Sequence, residues 1–170
     1  AQTTLKRYIA LLEATFLVNF LPPWSSNLGK RLVKSPKTLL GDTGLLCALL
    51  DVDAARLATD PTLAGHVLEN FVAMEIRKQA TWSRTRITLH HYRSHDQHEI
   101  DLLLEDPRGR LVAIETKASS NVKGDDFTQL RRLGETLGDK FVRGIVLHTG
   151  AESVPFGKNM HAVPVAALWG

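Results

Sequence analysis

One cysteine, two methionines and two tyrosines are all that this chain of 170 residues holds of those types. A lone thiol, Cys47, excludes an internal disulfide. Its setting in Gly44-Leu45-Leu46-Cys47-Ala48-Leu49-Leu50 predicts a small apolar role in a helix. No apolar run is long enough to span a bilayer, and no signal peptide is recognisable. A soluble, reducing, cytoplasmic setting without a membrane partner is the expectation. The chain lacks G-x-x-x-x-G-K-[ST], so nucleotide binding through a phosphate loop is not expected within it. It lacks the G-x-S-x-G nucleophile elbow as well. Internal repeats and low-complexity segments are absent. There is no initiator Met, and a helical pattern is already under way at Thr4, so the chain reads as a fragment of a longer protein.

What is present is a large apolar fraction, 44%, enough for a sizeable core. The net charge is only +3, but it is unevenly spread. Residues 1–40 carry Lys6, Arg7, Lys30, Arg31, Lys34 and Lys37 against one acid, Glu13. The rest of the chain is close to balanced. A basic segment on a near-neutral body points to a polyanion contact, with Lys30, Arg31, Lys34 and Lys37 as the residues that make it. A merely solvated loop is the alternative.

Periodicity yields the following elements. Thr3 or Thr4 caps a helix to Glu13 with Leu5, Tyr8, Ile9 and Leu12 on one face. Phe16 to Leu21 reads as a strand stopped by Pro22-Pro23. Trp24 to Lys34 reads as a polar, basic excursion, and Lys37 to Leu40 as a returning strand. Asp42 to Leu50 is a short helix, Asp51 to Asp60 a connection, and Thr62 to Ala80 a longer helix. Ile87 to Tyr92 is a strand, and a hairpin follows it. Asp125 to Leu137 is a helix with Phe127, Leu130, Leu133 and Leu137 inward. Strands at Phe141 to Leu147 and Met160 to Val163, then a terminal turn or helix, complete the chain. From residue 62 the order is α-β-β-β-α-β-β. The expected division is a partial winged-helix-like segment, 1–52, and a second domain, 60–170.

The hairpin, His98 to Lys117, carries the most information. In a strand, successive side chains alternate between faces. Ile100, Leu102 and Leu104 form one face of the first strand, and Glu99, Asp101 and Leu103 the other. On the second strand Val112 and Ile114 oppose Leu111, Ala113, Glu115 and Lys117. Asp106-Pro107-Arg108-Gly109 has turn chemistry. Matching the apolar faces sets Asp101 near Glu115, with Lys117 further along the same face. A bulge near the site would alter that count. Two carboxylates and an ammonium on one face are what a metal-dependent phosphodiesterase needs, whereas an ion pair at a strand end is the structural alternative. Glu99 on the same face reads as a strand-edge charge. Glu69 has small and apolar helical neighbours, which favours its burial. His90, His91, His95 and His98 do not read as a zinc site: adjacent His90 and His91 point to opposite faces, and no cysteine is near.

Asp on the second strand and Glu-x-Lys on the third resemble the restriction-endonuclease-like, PD-(D/E)xK superfamily. That resemblance implies an α/β fold with a mixed sheet flanked by helices. The whole chain is also similar to the uncharacterised C-terminal domain that follows the ATPase module in a family of bacterial AAA+ ATPases. The similarity rests on Leu21 to Asn27, Lys30 to Lys37, Asp42 to Leu46, Gly65 to Val72 and Ile114 to Lys117. It implies Asp101 and Glu115 as ligands of Mg2+ or Mn2+, and Lys117 as the residue assisting the attacking water. Gly65-x-x-x-Glu69 resembles the first motif of the RecB-like and Holliday-junction-resolving branches, which implies a site role for Glu69. Gln129 resembles the Gln of the helix after Lys117, although Leu133 stands where a Tyr is usual. The residue before Asp101 is Ile100 rather than Pro. DNA is the implied partner, with an upstream ATPase module in the parent chain and a possible oligomer. The expected function is metal-dependent hydrolysis of DNA. The alternative is a non-catalytic module that binds nucleic acid or a partner protein and regulates the ATPase.

Overall fold

A computed structural model describes residues 2–25, 35–93 and 98–170. Helix α1 (Gln2–Ala14) leads into a two-stranded antiparallel ribbon, β1 (Val18–Leu21) and β2 (Lys37–Leu40). Three helices follow: α2 (Thr43–Leu49), α3 (Ala54–Thr59) and α4 (Pro61–Ala80). Each starts on an aspartate cap. Asp42, Asp53 and Asp60 accept from the backbone N–H of Leu45, Arg56 and Leu63, satisfying donors that a helix start leaves open. Asp53 therefore turns the expected connection at 51–60 into helix α3.

The main sheet is mixed and six-stranded among the described residues, in the order β3-β4-β5-β6-β8-β7. Its strands are β3 (Thr88–Arg93), β4 (Glu99–Glu105), β5 (Leu111–Lys117), β6 (Phe141–His148), β7 (Val154–Gly157) and β8 (Met160–Pro164). Strands β3, β4 and β5 form an antiparallel meander. A 3₁₀ turn (Gly124–Phe127) and helix α5 (Thr128–Leu137) then cross over, so that β6 pairs parallel to β5. A short edge strand, β7, had no sequence counterpart. It is four residues long, largely exposed, and carries a proline, so it lacks a buried alternation to detect.

The sheet separates two apolar clusters. Phe127, Leu130 and Leu133 pack on Ile100, Leu103, Leu111 and Ala113. On the other side, Val72, Ala73 and Ile76 of α4 pack on Leu102 and Ile114. The expected grouping of Ile100 with Leu102 and Leu104 fails because β4 bulges. His90 pairs with Leu103 but Tyr92 pairs with Ile100, so Asp101 and Leu102 together oppose His91. Ile100 is thereby turned to the α5 side, while Leu102 stays on the α4 side.

The N-terminal ribbon joins this body rather than hanging from it. The N–H of Trp24 donates to His91 O (2.7 Å), and the N–H of His91 donates to Pro22 O (3.0 Å), so residues 22–24 cover the β3 edge. Trp24, expected in a polar excursion, is only 7% exposed and packs in the α5-side core near Tyr92. Asn70 of α4 clamps the far end of β2. Its Oδ1 accepts from Leu40 N–H (2.9 Å), and its Nδ2 donates to Leu40 O and Thr43 Oγ1, each at 3.1 Å. By contrast Leu5, Tyr8 and Leu12, expected to share a face of α1, are all exposed.

Gly41 closes the ribbon where a side chain does not fit. Its N–H donates to Leu17 O (2.9 Å), and a Cβ there would lie 2.1 Å from Phe16 O. Because that atom is backbone, relief requires breaking the ribbon closure. Gly41→Ala is expected to destabilise the chain by about 2 kcal/mol, the range of core overpacking. A denaturant midpoint equal to that of the wild type would refute this.

Candidate functional site

The meander, α4 and β2 converge on a group of carboxylates at one end of the sheet. β4 pairs with β5 in a register that sets Leu102 against Ile114. The same register brings Asp101 level with Glu115, and their carboxyl groups are within hydrogen-bonding reach. Glu69 of α4 acts on Glu115 by charge, as Asp101 acts on Glu69. The Asp101–Glu115 proximity expected from alternation is therefore present, although the neighbouring faces are not those expected. Both acids sit where the meander meets the C-terminal end of β5, beside parallel β6. In open α/β sheets that end of the strands forms the usual crevice for ligands.

Asp101 is held by the residue between the two members of the Glu-x-Lys motif. The N–H and Oγ1 of Thr116 both donate to Asp101 Oδ2, each at 2.8 Å. Nothing in the sequence patterning singled out Thr116. Its place opposite the bulge becomes informative only once the bulge is known. Burial acts most strongly on Glu115 and, together with the negative charges of Asp101 and Glu69 and the hydrogen bond to Asp101, pushes its carboxyl up to about 9. A hydrogen bond between two carboxyl groups needs a proton on one of them, and at neutral pH Glu115 holds it. Glu69 is also raised, by burial first and then by the charge of Asp101; Lys37 and His66 oppose this.

The cation that meets these acids comes from β2. Lys37 Nζ donates to Glu69 Oε1, and its charge also acts on Glu115. Lys37 was expected on a nucleic-acid-gripping segment; its side chain lies instead against the carboxylates. Lys30, Arg31 and Lys34 lie outside the described residues, as does His95. Lys117 pairs with Asp126 Oδ2 in the 3₁₀ turn after β5. Asp126 also accepts from Lys123 N–H, at 2.6 Å. Burial acts to raise the Asp126 carboxyl, but the hydrogen bonds from Lys117 and Lys123 outweigh it and hold it below the usual range. Asp126 was not anticipated; an acid nine residues after Lys117 in a capping position was its only trace.

Gln129 is placed with His98, not with the carboxylates. Its amide nitrogen lies 3.2 Å from His98 Nδ1, while Arg132 Nη1 lies 3.2 Å from His98 Nε2. These residues line an open pocket of about 200 Å3 with Tyr92 and Thr136. Glu99 pairs with Arg93 at 3.1 Å, both about half exposed, which is the strand-edge role expected of it. His90 is buried beside Glu105, with Nε2 3.2 Å from Oε2.

The donor set of Asp101, Glu115 and Glu69 is all oxygen, which suits a hard divalent cation. Among the described residues no three His, Cys, Asp or Glu side chains are already set at ligand spacing. The proton on Glu115 and the ammonium of Lys37 offset two of the three carboxylate charges and leave one uncompensated among these groups. Among the described residues, too, no helix is long and apolar enough to cross a membrane.

Residues 64–168 match the family described as a domain of unknown function, DUF4143, and residues 1–56 match a second domain of unknown function, DUF8612. Uncharacterised proteins of Mycobacterium bovis and Mycobacterium tuberculosis are each 32% identical to the chain over 170 residues. The match covers 96% of this chain and 35% of each relative, so the chain spans about a third of their length. No solved structure matches. With more than half its length matched, the chain belongs to the DUF4143 family.

Proposed function

We propose that this member of a family of unknown function is a restriction-endonuclease-like domain that hydrolyses phosphodiester bonds in DNA with Mg2+ or Mn2+. The observation that carries the reading is the meeting of Asp101, Glu115 and Glu69 at the end of β5. Three acids drawn together out of water oppose folding, and groups so perturbed concentrate where chemistry is done. A metal held by Asp101 and Glu115 supplies a Lewis acid for the scissile phosphate and an activated water. The chain's own residues do the rest. Thr116 fixes the carboxylate of Asp101, Glu115 gives up its proton as the cation enters, and Lys117 stabilises charge on the phosphate once released from Asp126. The basic segment from Lys30 to Lys37 grips the DNA backbone, so that binding weakens with salt. In the parent protein the domain acts alongside an ATPase module in the cytoplasm.

A second reading, a non-catalytic module that binds nucleic acid or a partner, draws support from one observation. Both lysines near the acids are already engaged, Lys37 by Glu69 and Lys117 by Asp126. Calorimetric titration of Mn2+ separates the two. The nuclease reading expects about one ion per chain, lost in Asp101→Ala. A wild-type chain that takes up no Mn2+, with or without duplex DNA present, overturns it.

A further inference from the structure

We infer that Lys37 is a tethered competitor of the metal: its ammonium takes the place beside Glu69 that a divalent cation needs, so that cation uptake and withdrawal of Lys37 are one event. This rests on the metal site proposed above and adds a gate to it. The gate is built by the fold. Lys37 opens β2, pairing with Leu21 of β1, and Leu40 closes it. Asn70 grips both polar atoms of Leu40, and Asn70 follows Glu69 directly in α4. The clamp that docks the ribbon on α4 therefore also delivers Lys37 onto Glu69.

The pair is neither a free surface contact nor a sealed one. The Glu69 side chain is 13% exposed, so its charge needs compensation, while Lys37 at 31% keeps a route to solvent. A lysine is suited to this role. It is a compact, strongly hydrated charge on a flexible stem and can leave without moving the backbone that carries it. A divalent ion brings twice the charge to the same oxygens, so only one of the two cations can sit there.

The test is Mn2+ titration into the whole chain as wild type, Lys37→Met, Lys37→Arg and Asp101→Ala at one pH. A second readout is the rate of reductive methylation of Lys37 in the wild type with and without Mn2+. Lys37→Met is expected to bind Mn2+ about tenfold tighter than the wild type, since a competing charge is gone. Lys37→Arg is expected to bind no tighter than the wild type, and Mn2+ to speed methylation of Lys37. If Lys37→Met binds no tighter than the wild type while Asp101→Ala loses the ion, the gate is refuted and the metal site stands. If neither the wild type nor Lys37→Met takes up Mn2+, the metal site itself fails. Should Lys37→Met not fold, the methylation rate decides: no acceleration by Mn2+ overturns the gate.

Discussion

Asp101→Ala is expected to abolish Mn2+-dependent cleavage of DNA, by about 10³-fold or more, while the chain stays folded. The residue's environment explains why the two effects separate. Asp101 accepts both polar donors of Thr116 at 2.8 Å, so its carboxylate is fixed before any ligand arrives. Removing it leaves the Thr116 N–H and hydroxyl without that acceptor, a loss of about 1–3 kcal/mol if neither finds water. Removal also ends the repulsion that Asp101 exerts on Glu69, which acts in the opposite direction. The two changes offset, and melting by circular dichroism should show a shift of only a few degrees. Asp101→Asn keeps the shape and one acceptor oxygen but not the charge, and it should be inactive too. Cleavage by purified Asp101→Ala at wild-type rates would end the nuclease reading. A large loss of stability in Asp101→Ala would instead show that Thr116 depends on this carboxylate for its place in β5.

The origin of this site explains which parts of it the sequence discloses. Alternation along two strands joined by a legible turn is local information. Asp106-Pro107-Arg108-Gly109 forms the turn expected of it, with Gly109 at φ 72° and Asp106 accepting from the N–H groups of Arg108 and Arg110. Asp101 and Glu115 could therefore be paired in advance. The bulge that aims Asp101 is set by β3, where Tyr92 pairs with Ile100 and His90 with Leu103, and no pattern within β4 reveals it. Helix α5 and the 3₁₀ turn before it were legible because Phe127, Leu130 and Leu133 keep a helical repeat and all end in the core. Trp24 was misread because it lies between Pro23 and a polar run, while its burial depends on the distant edge of β3. The contact of Lys37 with Glu69 was not foreseen for the same kind of reason. As one of several basic residues it resembles a surface charge, and only the Asn70 clamp carries it to Glu69. The pairing of Lys117 depends on Asp126, whose position is fixed by how the chain leaves β5 and caps the 3₁₀ turn. Tertiary partners decide each of these points, and a single sequence does not name them.

Glu115→Gln is expected to stabilise the metal-free chain at neutral and alkaline pH and to leave it unchanged in acid. The folded chain holds the Glu115 proton up to about pH 9, whereas an unconstrained glutamate releases it near 4.5. Between those values the folded state binds more protons than the unfolded state. Stability is thus complete below about 4.5 and declines as pH rises toward 9. Each pH unit inside the window is worth about 1.4 kcal/mol, which sets a ceiling of about 3 kcal/mol lost by pH 7. Glutamine mimics the protonated acid, keeping a donor toward Asp101 while having no proton to lose. The gap between variant and wild type should open above pH 5, widen toward pH 9 and close near pH 4. At its neutral-pH ceiling it corresponds to roughly 6–12 °C in melting temperature for a chain of this size. Parallel stability curves for the two proteins across pH 4–9 would mean that Glu115 is solvated and ionised, and that the carboxyl groups do not share a proton. Mn2+ should invert the comparison, because the wild type exchanges the Glu115 proton for the ion while the amide has no charge to offer. A wild type that is the weaker protein without metal and the stronger one with it would tie the electrostatic cost of Glu115 to binding. A burden on the fold that is lifted by a cation is what distinguishes a ligand site from a misplaced charge.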